Sequence, residues 1–228
     1  MANLTQLKML EGLDGVVLVD KPSGIAFPSV IKAVKRKFSL AKVGHGGSLD
    51  AMASGLLVLL VGDANRFAEE VMGADRAYTG TMKFGETTDT GDRHGRPVPL
   101  PGRVMSPSGV KGDIFQTEPH FCSVRREGSA EYEIADTGEH GQFLAHVYRF
   151  DVSGRDEAQG TNEFSLSASK GVIVRALAQD LGATLMSLRR TRVGRFSLDD
   201  AVAFDRLLET APADFQSLVV PIARAFAR

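Results

Sequence analysis

Short apolar runs bounded by glycine and proline predict several β-strands along this chain. Gly15–Asp20 (GVVLVD) is rich in β-branched residues and ends at a turn signal, and Gly55–Val61 (GLLVLLV) has the continuous apolar character of a fully buried strand. Over residues 77–84 apolar and polar side chains alternate, which places Tyr78 and Met82 on one face of a strand. Further strands are predicted over residues 142–152 and 163–168.

Fewer segments show helical spacing. Val30, Val34 and Phe38 recur every four residues and predict a helix that begins near Ser29, a residue type that caps helix N-termini. An apolar row over residues 171–185 predicts an amphipathic helix. Further helices are predicted over residues 64–72 and 198–209. Because strands lie in runs with few helices between them, the pattern favours an α+β fold with a mixed, mostly antiparallel central sheet flanked by helices.

The composition is that of a globular protein and excludes several function classes. Of the 228 residues, 43% are apolar and 24% are charged, which suffices for a packed core. No apolar run approaches a membrane span, and no signal or transit pattern opens the chain, so we expect a cytoplasmic protein without a membrane partner. The single cysteine excludes an internal disulfide and a cysteine-rich zinc site. The five scattered histidines show no paired-ligand spacing, so no metal is expected.

The formal net charge of −1 hides two local basic segments. Residues 30–45 contain five basic residues and no acid, and residues 187–195 contain four arginines and no acid. Nucleic-acid affinity needs only such local tracks, because it comes from counterions released where phosphates touch the protein. A single charge run is more often a solvated face, so these segments are compatible with RNA binding without requiring it.

The densest candidate for chemistry is Val43–Gly55 (VGHGGSLDAMASG), whose residues 43–50 are predicted to form a glycine-rich loop. Glycines around His45 permit sharp turns and close approach to a ligand, and successive backbone N–H groups can hold an anion. Taken alone, Asp50 is an ordinary turn or cap residue and His45 an ordinary loop histidine. The segment lacks the lysine of a phosphate-binding loop and the spacing of a dinucleotide fingerprint, which disfavours a phosphate-binding metabolic enzyme.

Six segments, in order, resemble the TruB-type tRNA pseudouridine synthases. The loop that ends at Asp50 resembles the family motif V-G-H-x-G-T/S-L-D-P-x-A-x-G-L/V-L. The other five segments are Asp14–Gly24 (DGVVLVDKPSG), Arg76–Tyr78 with Phe84–Asp92 (FGETTDTGD), Gln116–Arg125 (QTEPHFCSVR), Gly171–Gly182 (GVIVRALAQDLG) and Leu188–Phe196 (LRRTRVGRF). Each segment is weak alone, whereas the ordered set is highly specific.

The resemblance implies the pseudouridine synthase fold, with a catalytic domain over residues 1–210 and a short C-terminal tail over residues 211–228. Because the chain ends at Arg228, we expect no C-terminal RNA-binding PUA domain. It also implies an enzyme that isomerises the U55-type uridine in the TΨC loop of tRNA to pseudouridine and needs no cofactor. The uridine must be flipped out of the folded RNA, and its base is detached from C1′, rotated and rejoined through C5.

The same resemblance assigns roles to residues of this chain. Asp50 matches the catalytic nucleophile, and a carboxylate can divide one hard bond change into two easier ones. Tyr78 matches a tyrosine that stacks on the flipped uracil, a contact worth about 1–3 kcal/mol per base. Arg175 matches the arginine that keeps the catalytic carboxylate ionised and aimed. Without the resemblance, Tyr78 would be a core aromatic and Arg175 a surface residue of a first helical turn.

The remaining substrate-binding positions are His45, Ile173 and Leu188. His45 matches a histidine near the vacated base position, and Leu188 matches a leucine that closes the pocket, although core packing is its ordinary role. Ile173 stands where the family usually has tyrosine, so any contact from that hydroxyl is lost. Ala51 replaces the proline that usually follows the catalytic aspartate, which predicts a less rigid turn.

The basic segments become candidate contacts with the phosphates of the tRNA TΨC arm. These candidates are Lys32, Lys35, Arg36, Lys37, Arg189, Arg190 and Arg192. Lys21 and Pro22 are expected to be scaffold residues that hold the catalytic loop. No obligate protein partner is evident. The alternative is a non-catalytic RNA-binding or tRNA-folding protein on the same scaffold, which would have no need of the Asp50, Tyr78 and Arg175 combination.

Overall fold

The structure is a computed structural model that describes residues 12–117, 121–125, 132–136 and 141–227. The strands are Gly15–Lys21 (β1), Val43–His45 (β2), Ser54–Val61 (β3), Arg76–Phe84 (β4), Thr87–Thr88 (β5), Pro97–Val98 (β6), Gly112–Thr117 (β7), Phe121–Arg125 (β8), Tyr132–Asp136 (β9), Gln142–Asp156 (β10), Thr161–Ala168 (β11), Ala183–Val193 (β12), Phe196–Ser197 (β13), Val202–Ala203 (β14) and Val220–Pro221 (β15). The α-helices are Phe27–Lys37 (α1), Ala68–Gly73 (α2), Val174–Asp180 (α3), Phe204–Glu209 (α4) and Ile222–Ala225 (α5). Short 3₁₀ helices lie at Gly62–Phe67, Pro107–Gly109, Leu198–Asp200 and Pro212–Leu218.

The described residues form two compact units, one within residues 1–74 and 190–228 and the other within residues 75–189. In the first unit β1 pairs antiparallel with β3 from Gly15 opposite Val61 to Lys21 opposite Gly55, and it pairs parallel with β14. The apolar side chains of β1 and β3 are buried, as the sequence predicts, and burial of each Val or Leu contributes about 1.5–3 kcal/mol. Strand β3 contacts the loop that lies between β2 and β3, because the Gly46 N–H donates to the Val58 carbonyl.

In the second unit, strands β4, β11, β10 and β7 form an antiparallel sheet in that order, and β12 lies beside β4. Residues 183–189 of β12 belong to this unit, and its residues 190–193 belong to the first. Two antiparallel hairpins, β5 with β6 and β8 with β9, lie outside this sheet. The predicted α+β class is confirmed. The sheet is mixed but mostly antiparallel, since β1 pairs parallel with β14 and antiparallel with β3, and helices occur between the strands along the chain. Part of the motif over residues 116–125, residues 118–120, lies outside the described residues.

Several predicted helices differ from those of the structure. The row over residues 171–185 is a seven-residue helix, α3, followed at Ala183 by strand β12, because Gly182 has φ +60° and reverses the chain. A buried strand is as apolar as the inner face of a helix, so the spacing of leucines alone misassigned Leu185. Helix α1 begins at Phe27 with Pro28 in its first turn, and Ala26, rather than Ser29, is its N-cap.

Other segments contain more regular structure than predicted. Residues 43–45 of the predicted loop are strand β2, and the helix predicted over residues 198–209 is a 3₁₀ turn, β14 and α4. Within residues 211–228, β15 pairs with β1, and Phe215 stacks on Phe38 of the segment after α1 with ring centroids 3.8 Å apart. None of the helices in the described ranges has both the length and the apolar character needed to cross a bilayer.

Candidate functional site

Asp50 lies in the loop between β2 and β3, in the first unit, and its side chain is half-buried. The loop is tied at both ends by backbone hydrogen bonds. The Gly46 N–H donates to the Val58 carbonyl at 2.8 Å, and the Ala53 N–H donates to the Asp50 carbonyl at 3.1 Å. The first bond ties the start of the loop to β3, and the second closes a turn at Asp50, a residue that is half-buried.

Lys21, at the end of β1, is fully buried and holds the turn that follows Asp50. Its Nζ donates to the carbonyls of Pro22 and Ile25, each at 2.8 Å, and to that of Ala51 at 3.3 Å. The Gly24 N–H donates to the same Ala51 carbonyl at 2.7 Å. The scaffold role predicted for Lys21 is confirmed. The turn at Ala51 is thus fixed by tertiary hydrogen bonds although it lacks proline.

Charge interactions join Lys21 to both Asp50 and Arg190. Burial lowers the pKa of Lys21 from 10.5 to about 8, because the ammonium loses hydration. The Asp50 carboxylate partly offsets this effect and the Arg190 guanidinium adds to it. Lys21 therefore stays mainly protonated at neutral pH, and its positive charge lies close enough to the Asp50 carboxylate to interact with it.

Arg190 supports the same loop from strand β12. Its side chain is 1% exposed, and its guanidinium donates to the carbonyls of Leu56 at 2.8 Å, Ser48 at 2.7 Å and Gly47 at 3.2 Å. The expected contact of Arg190 with RNA phosphate is therefore corrected, because this guanidinium faces backbone carbonyls inside the protein. A planar fork of N–H donors suits this task, since it reaches several carbonyls at once.

His45 occupies the end of β2 and contacts both the loop and helix α1. Its Nδ1 accepts a hydrogen bond from the Gly47 N–H at 3.2 Å, so a neutral ring carries its proton on Nε2. The ring packs edge-on against Phe27, with centroids 5.0 Å apart. The start of the basic helix α1 thus touches the histidine of the candidate loop.

Gly44 of β2 and Gly46 of the loop that follows are too closely packed to accept a side chain. A β-carbon at Gly44 would lie 2.1 Å from Asn65 Oδ1, and one at Gly46 would lie 2.3 Å from a methyl group of Val71. The Asn65 amide in turn donates to the carbonyls of Leu60 at 2.9 Å and Gly62 at 2.8 Å. Sequence reasoning missed Asn65, because nothing in its local sequence indicates that its side chain packs against this loop.

The second unit contains the remaining predicted pocket residues. Tyr78 lies on β4, opposite Leu166 of β11, and is 7% exposed. Leu188 lies on β12, the strand beside β4, and is also buried. Ile173 is half-buried at the N-cap of α3.

Arg175, in the first turn of α3, is buried rather than exposed on the helix surface. Its Nη1 donates to the Thr90 carbonyl at 2.9 Å. That carbonyl belongs to a tight turn in which Asp92 Oδ1 accepts hydrogen bonds from Thr90 Oγ1 at 3.0 Å and from the His94 N–H at 2.9 Å. The turn therefore fixes one side of a guanidinium that the sequence alone would place in solvent.

The predicted phosphate-binding residues differ in their exposure. Lys32, Lys35, Arg36 and Lys37 are all exposed on helix α1, and Lys32, Lys35 and Arg36 share one face because they are three and four residues apart. Arg192 is exposed and its Nε donates to the Gly194 carbonyl at 2.7 Å, whereas Arg189 is half-buried. In the part of the chain that the structure describes, no three His, Cys, Asp or Glu side chains are grouped so that they could hold a metal ion.

Comparison with known proteins gives consistent sequence relatives. The profile of the TruB family pseudouridylate synthase (N terminal domain) matches residues 35–174. The chain is 38% identical over 216 residues to the tRNA pseudouridine synthase B of Bordetella avium, which covers 86% of this chain and 87% of that protein. It is 32% identical over 230 residues to the tRNA pseudouridine synthase B of Opitutus terrae, which covers 93% of this chain and 95% of that protein.

Solved structures extend the likeness in fold. A chain in the crystal structure of a Cbf5-Nop10-Gar1 complex superposes with a TM-score of 0.69 at 23% identity. The match covers 96% of this chain and spans 63% of the length of that one. A chain in the structure of an H/ACA RNP bound to a substrate RNA containing 2'-deoxyuridine gives a TM-score of 0.66 at 20% identity, with 96% and 62% covered. At these identities the likeness concerns the fold alone.

Proposed function

Because the chain belongs to the TruB family of tRNA pseudouridine synthases, we propose that it converts the U55-type uridine of the tRNA TΨC loop to pseudouridine with Asp50 as nucleophile. One observation carries the assignment to Asp50. Two buried cations, Lys21 and Arg190, hold the backbone of its loop, whereas the Asp50 side chain is only half-buried. This arrangement supports a carboxylate that is held in place and still accessible to a nucleobase.

The reaction is an isomerisation in which no atom is gained or lost overall. The bond between C1′ and N1 breaks, a bond between C1′ and C5 forms, C5 gives up its proton to solvent and N1 takes one up. An ionised carboxylate promotes this exchange by forming a transient covalent bond, either to the sugar or to the base. Both routes require Asp50 as an anion, and the buried Lys21 ammonium interacts with this carboxylate.

The other pocket residues have supporting roles in this proposal. The Tyr78 ring stacks on the flipped uracil, and Leu188 closes the pocket. Arg175 is assigned, by its match to the family motif, the role of keeping the catalytic carboxylate ionised and aimed; its guanidinium donates to the Thr90 carbonyl. His45 lies near the vacated base position, and Ile173 contacts the substrate through its apolar side chain alone.

The substrate RNA is proposed to lie along the exposed basic face of α1. Phe27 of this helix packs on His45, so the helix is anchored beside the candidate loop. Lys32, Lys35 and Arg36 would contact phosphates, and recognition would rest mainly on RNA shape and on the extruded base. We also propose phosphate contacts for Lys37, Arg189 and Arg192.

The test is the Asp50→Asn variant, which preserves shape and removes the nucleophilic charge. Unmodified tRNA transcript is incubated with each protein, pseudouridine is mapped at nucleotide resolution, and tRNA affinity is measured separately. We expect product at the TΨC uridine with the wild type and none with Asp50→Asn, while tRNA affinity changes by less than about threefold. Asp205→Asn, an exposed aspartate of α4, is the matched control and should retain full activity.

Two outcomes would contradict the proposal. Normal product with Asp50→Asn would remove the nucleophile assignment. Tight tRNA binding without any product from the wild-type protein would favour the non-catalytic RNA-binding alternative.

A further inference from the structure

Gln116 of strand β7 makes two hydrogen bonds to the backbone of a single distant residue. It is fully buried between two exposed neighbours on the strand, Phe115 and Thr117. Its Nε2 donates to the Ile173 carbonyl at 3.1 Å, and its Oε1 accepts from the Ile173 N–H at 3.0 Å. The side-chain amide therefore pairs with the backbone of Ile173 much as a neighbouring strand would, across 57 residues of sequence.

Helix α3 depends on this contact for its position. The helix has only seven residues, and its N-cap, Ile173, makes no side-chain capping bond. A helix this short is not stable by itself, so tertiary contacts determine where it begins. Gln116 holds its beginning, and Gln179 donates to the Thr88 carbonyl at 2.8 Å near its end.

We propose that Gln116 is a positioning residue for the pocket, which it acts on through the backbone of Ile173. This inference rests on the proposed function, in which Ile173 contacts the substrate and Arg175 orients the catalytic carboxylate. Arg175 is two residues beyond the backbone groups that Gln116 holds, so a shift of Ile173 moves both side chains. Misplacement of reactive groups by about 1 Å can lower a rate by about a hundredfold.

The two hydrogen bonds between Gln116 and the Ile173 backbone require a side chain that both donates and accepts, as an amide does. One amide presents a donor to the Ile173 carbonyl and an acceptor to the Ile173 N–H. In Gln116→Met the Ile173 N–H loses the side-chain acceptor, and the Ile173 carbonyl loses the side-chain donor while it still accepts from the Leu177 N–H at 3.1 Å. In Gln116→Glu the ionised carboxylate still accepts from the N–H but repels the carbonyl, whereas the protonated acid again presents one donor and one acceptor. Burial raises the pKa of such a carboxyl, so lowering the pH restores the pattern.

The experiment compares Gln116→Met and Gln116→Glu with Gln179→Met, which removes one hydrogen bond at the opposite end of the same helix. Single-turnover rate at saturating tRNA, tRNA affinity, unfolding midpoint and exchange of the Ile173 amide hydrogen are measured for each. We expect Gln116→Met to lower the rate about tenfold to a hundredfold with affinity within about threefold of wild type, and to accelerate Ile173 exchange. Gln179→Met should keep its rate within about threefold.

The Gln116→Glu variant gives a readout that a purely structural role would not produce. Its rate relative to wild type should rise as the pH is lowered at a temperature well below its unfolding midpoint. If Gln116→Met fails to fold, the pH dependence of the Gln116→Glu rate is sufficient to test the inference. A wild-type rate in Gln116→Met, a pH-independent rate relative to wild type in Gln116→Glu, or an equal loss in Gln179→Met would overturn the inference and leave the proposed function standing. A wild-type protein that forms no pseudouridine would overturn the proposed function and this inference together.

Discussion

Replacing Arg190 by methionine tests whether its guanidinium stabilises the fold or contacts RNA. The substitution keeps much of the side-chain volume and removes the donors to three backbone carbonyls. A buried acceptor left without a donor costs about 1–3 kcal/mol. Ser48 is exposed, so its carbonyl can bind water instead, whereas Gly47 and Leu56 are buried. Two buried acceptors correspond to a loss of about 2–6 kcal/mol in the free energy of unfolding.

The assay is urea unfolding followed by circular dichroism, together with thermal unfolding. For a protein of this size, 1 kcal/mol lowers the Tm by about 2–4 °C, so Arg190→Met should unfold at least about 4 °C below wild type. The dependence of tRNA affinity on salt should be unchanged at temperatures where the variant is folded, because a buried guanidinium releases no counterions from RNA.

Arg192→Met is the matched control, because Arg192 is exposed two residues along the same strand. Its unfolding free energy should lie within about 0.5 kcal/mol of wild type. If Arg192 contacts one phosphate, the slope of log affinity against log salt is less steep in Arg192→Met than in wild type by about 0.7–0.9. An Arg190→Met variant with wild-type stability and a reduced salt slope would refute the reasoning, since it would place that guanidinium on RNA.

Two further predictions concern pH and charge. Burial lowers the pKa of Lys21 from 10.5 to about 8. Between pH 8 and pH 10.5 the unfolded chain therefore binds more protons at this residue than the folded chain, and the contribution of Lys21 to the free energy of unfolding rises with pH. Below pH 8 Lys21 is protonated in both states, and the full cost of burying its charge is present. Urea titrations from pH 7 to 10.5 should therefore show wild type gaining stability relative to Lys21→Met, and parallel curves would contradict the coupling. Charge reversal of Lys32, Lys35 and Arg36 should weaken tRNA binding and make its salt dependence less steep without lowering the rate at saturating tRNA. The control Arg206→Glu, on α4, should leave tRNA binding and its salt dependence unchanged. An unchanged salt dependence after the charge reversal on α1 would show that this helix does not contact RNA phosphates.

The strands and the candidate loop were largely predictable from the sequence. The run over residues 55–61 is apolar throughout because strand β3 is buried, and such a run is visible in any window of the chain. The ordered motifs likewise identified the family, and they placed Asp50 in a loop before this strand. Helix ends were less predictable, because the reversal at Gly182 and the apolar start of β12 together resemble one continuous helical row.

The burial of charged and polar side chains was decided by tertiary structure. The run of arginines did not indicate that Arg190 is buried whereas Arg192 is exposed. The carbonyls that accept hydrogen bonds from Arg190 lie up to 143 residues away in the sequence. Gln116 was part of a recognised motif, yet its role depends on Ile173, 57 residues later.

The sequence alone therefore determined which segments form buried strands and which family chemistry the chain carries, since both depend on residue types at short spacing. Only the folded chain decided which cations support the Asp50 loop from inside and which remain available to RNA. The physical reason is that a buried charge requires specific acceptors. Whether a side chain such as Lys21 or Arg190 meets those acceptors depends on how distant segments pack together.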